Sequence, residues 1–380
     1  GVKSPEYMPD EVIIKLKNNH DKTVVNSKVV VETGIASVDA LNSKHKVNSM
    51  EKILDRHEKG GKAKINSLKK HGLDRVFLLK LPKNADVEKA IRDYSTDPNV
   101  EYAEPNYIVH TTLTPNDPDF SKLYGLHNTG QTGGTTDADI DAPEAWDLQT
   151  GNSSVLIAVI DTGVDYNHAD LAANMWTNPK EIPDNLLDDD ANGFVDDARG
   201  WDFYNNDNNP FDDHGHGTHV SGTIGAVGNN GIGVAGVNWN VKILPIKFLG
   251  SGGSGTTDGA ISSVQYATLM GAHIMSNSWG GGGFSQALKD AISAANDAGI
   301  LFVAAAGNAN NNNDAYPFYP AGYDVPNVVS VAATDHNDLK ASFSNYGANS
   351  VHLGAPGVNI YSTVPTGTCS LCNPSGYAYL

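Results

Sequence analysis

No stretch of about 18 apolar residues occurs among these 380 residues, so no segment is expected to cross a bilayer as a helix. Cysteine is nearly absent. Cys369 and Cys372 stand alone, too few for a four-thiolate zinc site, in a Thr/Ser/Asn/Pro/Gly-rich loop rather than at the helix start of a redox dithiol. A small disulfide loop, as exported proteins carry, is the expectation. No internal repeat and no extended low-complexity tract appear, which excludes a repeat array; residues 310–313 are only a short polar loop.

Basic residues are scarce in one part of the chain only. Residues 1–110 carry 19 Lys+Arg against 16 Asp+Glu; the whole chain has 26 against 44, which leaves 7 against 28 for residues 111–380. A net charge of +3 is thus followed by one of −21. The acidic part is a poor partner for nucleic acid. The opposite signs suit a first segment that docks on the second, with a mildly basic solvated surface as the alternative. The length allows two domains and at least one sizeable core. Gly1 in place of Met fits a leader peptide removed or left out.

Residues 10–17 alternate as a strand, 37–71 are Lys-rich and weakly helical, and 76–81 read as a second strand. Asp86 to Tyr94 reads as a helix with Val87, Ala90, Ile91 and Tyr94 on one face, and 100–107 as a third extended piece. Residues 1–110 are therefore expected to form a small α+β domain without catalytic features. Residues 111–135, rich in Thr, Pro, Asn, Asp and Gly, read as a linker or an irregular start to the next domain. In 111–380, continuous apolar strands at 155–160 and 241–247 and further strands at 273–277, 300–305 and 328–332 alternate with helices at 257–270 and 285–298. That alternation implies an α/β fold with a parallel sheet, whose ligands sit beyond the carboxyl ends of the strands.

The stretch Asp212-Asp213-His214-Gly215-His216-Gly217-Thr218-His219-Val220-Ser221-Gly222 sets three histidines in six residues, before a small apolar run expected to be a buried helix. His214, His216 and His219 approximate the His-x-His-x-Asp-His spacing of some zinc hydrolases, but Thr218 stands at the Asp position. A general base in a Ser/His/Asp arrangement is the second reading, and a Gly-rich turn with satisfied histidines the third. Asp161 ends an apolar strand, where a part-buried carboxylate needs a partner such as an imidazole N–H, or caps a turn. Asn308 follows another strand, where its amide can face a developing oxyanion or simply begin a loop.

Val159-Ile160-Asp161-Thr162-Gly163, His216-Gly217-Thr218-His219-Val220-Ser221-Gly222, Asn277-Ser278-Trp279-Gly280 and Ala305-Ala306-Gly307-Asn308 resemble the signature blocks of the subtilisin-like serine proteases (subtilases), in the family's order. Residues 10–110, ending Tyr102-Ala103-Glu104-Pro105-Asn106, resemble its inhibitory propeptide, and residues from about 120 onward its peptidase domain. The resemblance implies that Asp161 orients His216, the base. It makes Asn308 the oxyanion donor, a contribution of about 2.7–4 kcal/mol to the barrier in subtilisin itself. It also implies that Gly253-Ser254-Gly255 and Ser278-Trp279-Gly280 flank the substrate peptide as strands. His214 and His219 then have no proton to move. One departure stands out: the family's nucleophile lies in a Gly-Thr-Ser-Met-Ala block, and no Gly-Thr-Ser occurs here, so the triad is expected to be incomplete within these residues.

Calcium is the expected cofactor on two grounds. Asp188, Asp190, Asn192 and Gly193 reproduce the start of an oxygen-rich Ca²⁺ loop. Arg199 takes the place of the closing glutamate, so Asp196 or Asp197 would have to complete the shell; a solvated acidic loop is the alternative. Separately, residues 228–234 with Asp170 resemble the family's strong calcium site, which implies ligation by Asp170, Asn230, the loop residues Ile232 and Val234, and Asp117. The whole reading is a secreted, calcium-stabilised endopeptidase zymogen, 1–110 propeptide and 111–380 peptidase domain. Its expected partners are peptide substrates and its own propeptide, with self-cleavage between about Tyr107 and Asn116. A non-catalytic binding module and a zinc hydrolase are the alternatives.

Overall fold

A computed structural model describes residues 7–17, 32–53, 68–108 and 113–380. The chain divides into two compact units, Gly1–His110 and Thr111–Leu380.

The first unit is a four-stranded antiparallel sheet of β1 (Tyr7–Leu16), β2 (Ser49–Lys52), β3 (Val76–Lys80) and β4 (Val100–Tyr107), in the order β2-β3-β1-β4. Helices α1 (Ala36–Lys44) and α2 (Val87–Ser95) accompany it. Val12, Ile14 and Leu16 of β1 share one core with Phe77 and Leu79 of β3 and with Val87, Ala90 and Tyr94 of α2. Asp86 caps α2 by accepting the Lys89 N–H. Pro105 lies in β4, an edge strand of this sheet, where a missing N–H is tolerated. The weak helical reading of 37–71 holds at its start and again at residues 68–70, but residues 49–52 form β2, paired to β3 through Met50 and Leu79. The rest of that reading, at 54–67, lies outside the described residues.

In the second unit the 113–135 stretch is irregular, yet it is no linker. Phe120, Leu123 and Leu126 pack with Trp146, at the end of the short helix α3 (Ala142–Trp146), and with Trp239. Seven parallel strands follow: β5 (Gly151–Asp161), β6 (Trp201–Asp202), β7 (Asn240–Lys247), β8 (Ile274–Asn277), β9 (Leu301–Ala305), β10 (Val328–Thr334) and β11 (Leu353–Pro356). Their order is β11-β10-β9-β8-β5-β7-β6, and every pair is parallel. The expected α/β class is therefore what the chain adopts.

Because the second half of β5 is buried on both faces, residues 155–160 read as an unbroken apolar run. Leu156, Ala158 and Ile160 meet α5 (Thr257–Leu269) and α6 (Gln286–Asp297) in one core. Ile157 and Val159 meet the other layer, with Val220 and Ile224 of α4 (His216–Gly225) packed alongside. A hairpin of β12 (Tyr361–Thr363) and β13 (Tyr377–Tyr379) completes the unit. Between its strands Cys369 and Cys372 are joined, with Cα atoms 4.9 Å apart.

Candidate active site

Strand β5 ends at Asp161, and alternation turns that side chain to the face covered by α4. Helix α4 begins at His216, directly after Gly215, whose φ of +107° suits glycine. The approach of helix to strand is close: a Cβ on Gly217 would sit 2.1 Å from the Gly163 carbonyl and 3.1 Å from Asp161 Cβ. Glycine there lets His216 Nδ1 come to 2.7 Å from Asp161 Oδ1. Asp161 is wholly buried; its Oδ1 also accepts the Thr162 N–H, and its Oδ2 has no hydrogen-bond partner.

Burial pulls the His216 ring toward neutrality, but the Asp161 charge, its hydrogen bond and the Asp212 charge outweigh that and raise its pKa above the ordinary value. In the neutral ring Nδ1–H donates to the carboxylate, leaving Nε2 as the acceptor. Nε2 makes no hydrogen bond to the described residues.

Asp212, which sequence reasoning passed over, ties the turn together. Its Oδ1 accepts from Thr162 Oγ1–H and from the His214 and Gly215 N–H groups; its Oδ2 accepts the Thr218 N–H and hydroxyl. The Gly217 N–H in turn donates to Thr162 Oγ1. One buried carboxylate thus fixes the start of α4 against the end of β5.

His216 faces a cleft of about 580 Å³, which Gly253, Ser254, Gly255, Ser278, Trp279 and Gly280 also line. The residues expected to flank a peptide are therefore gathered beside the ring. Asn308 is not among those lining the cleft; it lies exposed just past the carboxyl end of β9.

The three histidines do not converge. His214 lies edge-on to His216 with ring centroids 6.4 Å apart. His219 turns away to the Ile360 carbonyl, 2.9 Å from its Nε2, and burial pushes its pKa down to about 4. Among the described residues the one group of three able to hold a metal contains no histidine. The zinc reading of His214, His216 and His219 is corrected on that geometry.

That group is Glu181, Asp188 and Asp190, whose ligand oxygens lie within 4.8 Å of one another. Glu181 was not foreseen. Its Oε1 accepts the Asp189 and Asp190 N–H groups, and its Oε2 is buried without a partner. Asn192 belongs to the same turn, its N–H donating to Asp188 and Asp190. Asp196 instead accepts the N–H groups of Asp184 and Leu186, and Asp197 is taken up by Asn178, Asn192 and Tyr266. Neither joins the cluster; Glu181 stands in the place expected of them.

At the second oxygen-rich site, Asp117 and Asp170 both bind the 229–234 loop. Asp170 accepts from Asn230 Nδ2 and the Val234 N–H, each at 2.8 Å, and from the Tyr377 hydroxyl at 3.1 Å. Asp117 accepts the Asn229 and Asn230 N–H groups. The Ile232 and Val234 carbonyls accept no hydrogen bond from the described residues. Every hydrogen-bond donor to the two carboxylates is neutral, and burial raises both pKa values, against a smaller opposing effect of His168 on Asp170.

A parallel α/β sheet with a buried Asp paired to a half-buried His at the end of an interior strand, beside an open cleft, defines a peptidase of the subtilisin type. Residues 152–377 match the Subtilase family model, and residues 1–106 match that of the Fervidolysin N-terminal prodomain. The chain belongs to the subtilase family of serine endopeptidases. It is 35% identical to a thermophilic serine proteinase of Bacillus sp. (strain AK1) over 96% of this chain and 77% of that one. To thermitase of Thermoactinomyces vulgaris it is 41% identical, over 67% and 77%. An extracellular protease of Xanthomonas campestris pv. campestris matches at 36% identity over 78% of this chain and 51% of that one. Among solved structures, a protease from Pseudoalteromonas arctica superposes with a TM-score of 0.55 at 30% identity, over 70% of this chain and 81% of that one.

Proposed function

We propose that this chain is the zymogen form of a secreted, calcium-stabilised endopeptidase in which Asp161 orients His216, and His216 Nε2 is the general base. The observation that carries the reading is the 2.7 Å Nδ1···Oδ1 bond beside the cleft. A serine outside the Gly1–Leu380 sequence supplies the nucleophile. Its hydroxyl proton passes to Nε2 as Oγ attacks the peptide carbonyl, and the same proton later goes to the leaving amine. Asn308 donates to the oxyanion, while the backbones of 253–255 and 278–280 pair with the substrate.

Residues 1–110 are the inhibitory propeptide, removed by self-cleavage between about Tyr107 and Asn116. Residues 109–112 of that window lie outside those described. Asp117, Asp170, Asn230, Ile232 and Val234 would hold one Ca²⁺, and Glu181, Asp188 and Asp190, with Asn192, another. Two observations fit: an all-oxygen donor set with free carbonyls, and the orphaned buried Oε2 of Glu181. Bound calcium supplies the charge that neutral partners leave uncompensated. Export is supported by the joined Cys369–Cys372 pair and by the extracellular relative.

Extending the sequence through a Gly-Thr-Ser block should give peptide hydrolysis blocked by a serine-directed inhibitor, while Gly1–Leu380 alone should be inert. Hydrolysis surviving His216→Ala would overturn the assignment. An inert extended chain would favour a binding module.

A further inference from the structure

Lysine is rarely fully buried, yet Lys247 is 1% exposed. It ends β7, and the register sets it beside Asp161 on β5. An ammonium has three N–H donors, and here each finds an acceptor. The Thr162 carbonyl lies at 2.7 Å, the Leu249 carbonyl at 2.8 Å and Asp213 Oδ1 at 2.7 Å.

The three acceptors come from three separate walls. Thr162 follows Asp161, and its hydroxyl binds Asp212 and the Gly217 N–H. Asp213 lies in the turn that leads into His216. Leu249 opens the loop through Gly255 and itself lines the cleft. Lys247 makes no hydrogen bond to the imidazole or to the Asp161 carboxylate, so any effect on the pair must pass through these segments. Nothing in the sequence marked it; it reads as the polar end of an apolar strand.

We propose that Lys247 is a positioning residue for the Asp161–His216 pair. Its ammonium fixes the spacing between the strand end that carries Asp161 and the turn that carries His216, and holds the 249–255 wall in register with both. The inference rests on the reading of Asp161 and His216 as a proton-transfer pair. Its test therefore reads that pair directly, without hydrolysis.

Asp161, Asp212, His214 and His219 are the titratable groups around the His216 ring, and Asp213 and Asp202 those around the ammonium. In the Gly1–Leu380 chain, the His216 imidazole resonances are followed by NMR against pH, alongside the melting temperature, for wild type, Lys247→Met, Lys247→Arg and Asp213→Asn. Lys247→Met should fold, lose or broaden the Nδ1–H resonance, and titrate about one pH unit lower, a roughly tenfold weaker hold on the proton. Lys247→Arg should restore much of both.

A folded Lys247→Met with a lower melting temperature but a wild-type His216 titration would overturn the proposal, leaving Lys247 a stabilising residue only. If Lys247→Met does not fold, Asp213→Asn decides. A smaller shift in the same direction supports the proposal, and an unchanged titration overturns it. A wild-type ring without the Asp161-bonded resonance would overturn the pair and this inference together.

Discussion

Asp161 and Asp170 are both wholly buried carboxylates of the second unit, yet their surroundings answer the cost of burial differently. Asp161 faces an imidazole that becomes cationic on taking a proton, so the protein supplies its own counter-charge. Asp170 faces an amide, a backbone N–H and a phenol, none of them charged. A buried anion left with neutral partners shifts toward protonation unless a cation arrives from outside. One corner is built to move a proton, the other to take up an ion.

Breaking the first corner should have the largest effect. In an enzyme completed with its serine, Asp161→Asn should lower kcat/KM by about 10⁴-fold, as the same change does in triad proteases, with KM little altered. A loss below tenfold would place the base elsewhere.

Breaking the second should cost stability instead. A ligand present at 100 times its Kd and bound only to the native state contributes about 2.7 kcal/mol. Excess chelator should therefore lower the melting temperature, and Asp170→Ala should remove most of that response, Glu181→Gln a smaller part. An unchanged melting curve in chelator would sink both sites. The pH dependence has a definite sign. Burial raises the Asp170 and Asp117 pKa values, so protons compete with calcium for these carboxylates as pH falls. The calcium response should shrink as pH falls.

His219 sharpens the contrast, because it is a buried imidazole with no carboxylate beside it. Its folded pKa, about 4, is below the unfolded value, so its contribution is complete above about pH 6.5 and is lost as pH falls toward 4. The full loss is about 3 kcal/mol by that conversion. Denaturant titrations should show His219→Asn flattening this acid limb, and an identical limb in the variant would contradict the assignment. The smallest expected effect is at the surface: reducing Cys369–Cys372 opens only a short loop, worth about 2 kcal/mol at most. A larger fall in melting temperature would show that the loop also holds the His214 carbonyl, to which Leu371 N–H donates.

How much of this was legible follows from the range of the contacts. Strands β5, β7, β8, β9 and β10 announce themselves by largely apolar stretches, because a parallel sheet buries both their faces. Ser49–Lys52 has only Met50 to bury and becomes a strand through its neighbour β3, which no local pattern shows. The two residues of β6 are likewise held by β7. Asp161 and His216 could be named because local motifs carry them. Asp212, Glu181 and Lys247 could not, since each acts through residues brought near only by folding; Lys247 reaches back 85 positions to Thr162. Asp196 and Asp197 misled for the same reason, as the loop spacing is blind to the amides and hydroxyl that engage them.

The central claim is that Asp161 holds the His216 ring and raises its affinity for a proton. The direct measurement is an NMR titration of His216 in Gly1–Leu380, wild type against Asp161→Asn. Wild type should titrate above the ordinary value near 6.5, and the variant, left with burial and a neutral partner, below it. Superimposable titrations would contradict the account.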